Sequence, residues 1–99
     1  MGAPTLTPQL DYDAATNRLT AAGLCARWRA DGFGLRIVGG TSVDNVRGIE
    51  VYQRGFRISP NRNGTTHVIW MSPEDQIVER DAASVDEAVT VLLGAYPDP

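Results

Sequence analysis

From Leu24 onward apolar residues recur at every second position, and turn-forming pairs break the run at intervals. Leu24, Ala26, Trp28 and Ala30 alternate with Cys25, Arg27 and Arg29, then Asp31-Gly32 follows and FGLRIV returns. Strand spacing on both sides of an Asp-Gly pair signals a hairpin, because these residues accept the positive-φ turn whose twist matches the flanking strands. One helix running through Gly23 to Ala30 is the rival reading, but it leaves Trp28 far round from the stripe that contains Leu19. IEVYQRGFRIS, TTHVIWM and a short segment from Gln76 to Glu79 complete the strands, with turns at Asn63-Gly64 and Ser72-Pro73-Glu74-Asp75. Hairpin connections of this kind demand an antiparallel meander of about five strands.

Within IEVYQRGFRIS, Ile49 and Val51 share one face while Glu50, Tyr52 and Arg54 share the other. Phe56 and Ile58 have the opposite parity, so a bulge at Gly55 is expected to return them to the buried side and leave Arg57 outside. The polar, glycine-rich stretch 39–48 reads as a loop.

Two helices flank the strands. DAATNRLTAAG reads as a short helix capped by Asp13 and stopped by Gly23, with Tyr12, Ala15, Leu19 and Ala22 on one face and Arg18 at its edge. Residues 1–10, with Pro4 and Pro8, are expected as an extended lead-in. Ser84-Val85-Asp86-Glu87 is an S-x-x-E capping box, in which Ser84 and Glu87 each satisfy a free backbone N–H. Val85, Ala88, Val89, Leu92 and Leu93 follow at helical spacing, Gly94 is the expected stop, and 95–99 reads as a tail. The expectation is a two-layer α+β domain over residues 1–99, with an N-terminal and a C-terminal helix packed on one face of the sheet.

Cys25 is the only cysteine, which excludes an intrachain disulfide and a cysteine-based zinc cluster. MGAPTLTPQL lacks the basic segment and apolar run of a signal peptide, and Leu6 stands where a myristoylation motif needs Ser or Thr. No apolar stretch approaches the roughly 18 residues that span a bilayer, so a cytoplasmic protein without membrane contact is expected. All nine basic residues are arginine, which with abundant Ala, Gly and Val points to a high-GC bacterial or phage genome.

Charge is unevenly laid out. Residues 18–73 carry eight arginines against three acids, whereas residues 74–99 carry seven acids against Arg80. If the helices cover the face bearing Leu24, Trp28, Ile49 and Val51, then Arg27, Arg29, Arg36, Tyr52, Arg54 and Arg57 share the open face, with Arg62 near the tip of an arm formed by residues 51–64. Arginines beside an aromatic ring on a sheet suit phosphates and stacked bases. The same arginines suit an acidic or mixed-charge protein surface, and they also keep an exposed sheet soluble. Net charge of −3 disfavours a dedicated nucleic-acid binder, which is usually basic. A protein partner is therefore expected, with nucleic acid as the alternative on the same surface and a homodimer by strand addition at an uncovered edge.

The chain offers little catalytic signal. His67 is the only histidine, and nothing in the sequence brings it to Cys25 as a nucleophile pair. GFGLRIVGG fails the dinucleotide fingerprint because its glycines do not join a strand to a helix. Glu74, Asp75, Glu79 and Asp81 read as solvated turn acids. No cofactor or metal is expected, and the function expected is non-enzymatic binding.

Overall fold

The computed structural model describes residues 7–31 and 34–96. Helix α1 (Thr7–Ala21) leads into strands β1 (Cys25–Asp31) and β2 (Gly34–Gly40). β3 (Ser42–Val46) and β4 (Ile49–Gln53) follow, then β5 (Phe56–Pro60), β6 (Thr66–Met71), β7 (Ile77–Ala82) and helix α2 (Val85–Ala95). Five strands form an antiparallel sheet in the order β1-β2-β5-β6-β7, and β3 and β4 pair separately as a two-stranded ribbon. Both helices pack on one face, giving the two-layer α+β architecture; α1 lies against β1 and β2, α2 against β6 and β7.

α1 starts six residues ahead of Asp13, so residues 7–10 are helical and not extended. Pro8 sits in the first turn, where its missing N–H would have had no helical partner in any case. Asp13 is an exposed mid-helix residue. The expected stop holds: Gly23 (φ +93°) donates to the Thr20 carbonyl at 3.0 Å, and Leu24 N–H reaches back to Leu19 at 3.1 Å. That pair of bonds is a Schellman motif, which satisfies the last carbonyls and turns the chain into β1. Ala22, beyond the last helical residue, is exposed.

The β1–β2 ladder runs from Cys25 opposite Gly40 to Asp31 opposite Gly34, so the strand reading of 24–30 prevails over the helix; Gly32 of the expected turn lies outside the described residues. Because side chains alternate, one face carries Trp28, Ile37, Ile58 and Val68, which meet Tyr12, Ala15, Leu19, Ala88, Val89 and Leu92 in the core. Ile37, Ile58, Val68 and Leu92 are fully buried. The capping box of α2 forms as read: Ser84 Oγ accepts from Glu87 N–H and Glu87 Oε1 accepts from Ala83 N–H, both at 3.1 Å. Gly94 does not end the helix; α2 continues to Ala95, and Tyr96, expected in a tail, is buried with its N–H bonded to Leu93.

The largest departure from expectation is residues 39–48. They are not a loop: Gly39 and Gly40 end β2, and Ser42–Val46 form β3, the first strand of an arm with Arg47 (φ 53°) and Gly48 (φ 83°) as its two-residue turn. Gly39 faces Phe56 and, three residues on, Ser42 faces Gln53, so one register runs through β2–β5 and β3–β4 and no residue is inserted at Gly55. Arg54, at φ 46°, rolls the strand over instead of bulging it. This reverses which face of β4 looks inward and leaves Ile49 and Val51 exposed, against the expectation that the helices cover them. Gly39 and Gly40 permit the crossing: a Cβ on Gly39 would strike the Cys25 carbonyl, and one on Gly40 would strike the Gln53 carbonyl.

Candidate functional site: the open sheet face and its arm

Opposite the helices, the sheet register sets Arg27, Val38, Arg57, Ile69 and Glu79 in one row across the strands. The next row begins Arg29, Arg36 on β1 and β2 and ends Ser59, His67, Asp81 on β5, β6 and β7. Charge therefore changes sign across the face, from arginine on β1, β2 and β5 to carboxylate on β7. The sequence reading placed Arg27, Arg29, Arg36 and Arg57 here correctly, because strict alternation fixes their side once Trp28, Ile37 and Ile58 are buried.

The arm lies back over the β1 side of this face. Arg27 Nη1 meets Glu50 Oε2 at 2.5 Å, and the other carboxylate oxygen accepts from Tyr52 OH at 2.9 Å. The Arg27 hydrogen bond, followed by that from Tyr52, holds the Glu50 carboxyl below its ordinary value; burial, then Glu50, raises the Tyr52 phenol. Between arm and sheet is a cleft of about 450 Å³, with Val38, Ile69 and Met71 among its lining residues, Ile77 at one edge and Arg29, Arg57, Glu50 and Tyr52 around it. That volume is in the range of small-ligand clefts, but the groove is open to solvent along most of its length. Neither Arg29 nor Arg57 is ion-paired among the described residues.

Two residues expected on this surface lie elsewhere. Arg54 turns inward: its guanidinium stacks 4.6 Å above the Tyr96 ring, and Tyr96 OH donates to the Arg54 carbonyl at 2.5 Å. Its Nε and one terminal nitrogen are buried without a hydrogen-bond partner. Arg62 is exposed in the β5–β6 turn, at the opposite end of the sheet from the arm, because residues 51–64 cross the sheet instead of forming one projection. Tyr52 belongs to the site through the arm and not through the main sheet.

His67 is on the open face, held between Glu79 Oε1 at 3.0 Å and Asp81 Oδ1 at 3.1 Å, one on each ring nitrogen. A neutral ring has a single N–H, so both contacts are hydrogen bonds only in the imidazolium form. Asn61, ahead of His67, holds the Asp81 carboxyl below its ordinary value. The two carboxylates do not converge, and no cluster of three or more metal-ligating side chains occurs among the described residues. Cys25 stands on β1 with β2 and β5 between it and β6, which at about 4.8 Å per strand separates it from His67 by at least roughly 14 Å across the sheet, and the register sets it level with Met71, four residues further along β6. The structure does not bring them together.

Sequence reasoning missed Glu50 as a site residue, together with the apolar lining and the whole of β3. The available signal was Arg47-Gly48 between two short β-rich stretches, SVDNV and IEVYQ. No helix among the described residues is long and apolar enough to cross a membrane. Comparison with protein-family models, curated proteins and solved structures gives no match.

Proposed function

We propose that this domain is a non-enzymatic, cytoplasmic binding module whose partner is another protein, received on the open sheet face beneath the arm. The observation that carries this reading is the cleft itself: apolar lining from Val38, Ile69 and Met71, bordered by Arg29 and Arg57, neither of which forms an ion pair among the described residues. An apolar centre with an arginine rim suits a segment that presents an apolar side chain flanked by carboxylates. Glu50 within the cleft and Glu79 and Asp81 at the far end of the face weigh against a phosphate backbone, which every carboxylate repels. Nucleic acid remains the second reading because the Tyr52 ring borders the same cleft as both arginines.

The test compares wild type with Arg29→Ala/Arg57→Ala. Affinity capture followed by direct titration of the purified partner should give binding that the double variant weakens at least about tenfold. A partner bound equally by both proteins overturns the reading. So does binding of short single- or double-stranded oligonucleotides that falls by orders of magnitude between about 50 and 200 mM salt and is lost in the same variant.

A further inference from the structure

We infer that the outer face of the arm is a self-association surface, whose occupant is the same face of a second copy of this chain. Directly opposed residues of an antiparallel pair point to one side, so Val46 and Ile49 share a face with Asp44 and Val51. Glu50 and Tyr52 occupy the other face and look into the cleft. The outer face therefore presents Val46, Ile49 and Val51, which are 53%, 66% and 44% exposed. Four of the five large apolar residues that are exposed among the described residues lie on this arm, Val43 being the fourth. Scattered exposed apolar residues need no explanation, whereas three gathered on one side of a two-stranded ribbon do.

The charges around that patch identify what covers it. Asp44 lies toward the base of β3 and Arg47 at the tip, with Val46 between them, and neither forms an ion pair among the described residues. When a second arm is laid face to face and antiparallel about a two-fold axis, β3 lies over β3 and β4 over β4. With the axis midway between residues 45 and 46 along the ribbon, Asp44 of each copy faces Arg47 of the other, and Ile49 of each packs between Ile49 and Val51 of the other. An acid and a base bracketing an apolar centre is the self-complementary layout that an isologous contact requires. The opposite face of the arm is not used, so the cleft stays open in the dimer.

A ribbon of five residues per strand is only about 17 Å long. The contact is smaller than a standard interface, and the expected dissociation constant is on the order of 100 µM. Sedimentation velocity from about 10 µM to about 1 mM should show mass rising from one copy toward two across that range. Asp44→Arg and Arg47→Asp each place like charges at both ends of the contact and should each sediment as a monomer. Mixed in equal amounts, the two variants restore opposite charges at both ends and should associate as a one-to-one heterodimer. Both positions are exposed, and aspartate tolerates the positive φ at 47, so both variants should retain the wild-type circular dichroism and melting. A wild type that remains monomeric to about 1 mM overturns the inference. Association that persists unchanged in the single variants, or a mixture that stays monomeric, overturns it equally.

Discussion

Tyr96 shows how much one residue at the end of the chain contributes. Its ring meets Phe56 edge-on at 5.8 Å between centroids, supports the Arg54 guanidinium, and its hydroxyl satisfies the Arg54 carbonyl at the point where φ is strained. The hydroxyl and the ring are separable. Tyr96→Phe should destabilise the fold by about 1 to 2 kcal/mol, the cost of leaving one part-buried carbonyl without its donor. Tyr96→Ala should cost about 3 to 5 kcal/mol, because the ring and its contacts go as well. Urea unfolding of the two variants beside wild type measures both. Equal losses would mean that the ring contributes nothing beyond its hydrogen bond.

At the scale of elements, the arm is held to the sheet by a polar contact and is therefore sensitive to pH. Glu50 has its carboxyl lowered by Arg27 and Tyr52, so the contact is fully present above the carboxyl's unfolded value, near 4.3, and is lost as pH falls through the lower folded value. The arm should therefore lift from β1 as pH falls below the unfolded carboxyl range and through the lower folded value, while the five-stranded sheet stays folded. The Tyr52 ring resonances, followed by NMR from neutral pH into acid, should move through that window in wild type. They should not move in Glu50→Gln, where the titrating group is gone. Identical titration of Tyr52 in both proteins would show that Glu50 does not fasten the arm. Gly40 guards the same junction from the other side, since any side chain there meets the Gln53 carbonyl.

For the whole molecule, stability and recognition reside in different layers. The helix-covered face holds the fully buried residues of the central strands, and the open face holds the arginines, the cleft and the arm with its exposed valines and Ile49. Ile58 on β5 is fully buried between two neighbouring strands and the helices, so Ile58→Ala should destabilise by about 2 to 5 kcal/mol. Ile49 on the arm is 66% exposed, and Ile49→Ala should shift stability by less than about 0.5 kcal/mol. Thermal unfolding of the pair checks the division. A large loss at Ile49 would place the arm inside the cooperative core.

What the chain alone determined was whatever neighbouring residues decide between them. Alternation identified β1, β2, β5 and β6, the Ser84–Glu87 box started α2, and Gly23 stopped α1, because each signal lies within a few residues of its effect. The buried side of those strands was equally legible, and with it the positions of Arg27, Arg29, Arg36 and Arg57. The arm was not legible, because Arg47-Gly48 is a weaker turn signal than Asp-Gly or Asn-Gly and the glycine-rich stretch before it resembles a connector. Only tertiary structure decided which way β4 faces and where Arg54 points. Those outcomes rest on Arg27 meeting Glu50 and on Tyr96 meeting Arg54, partners 23 and 42 residues apart, and no local pattern records a contact between residues so far separated.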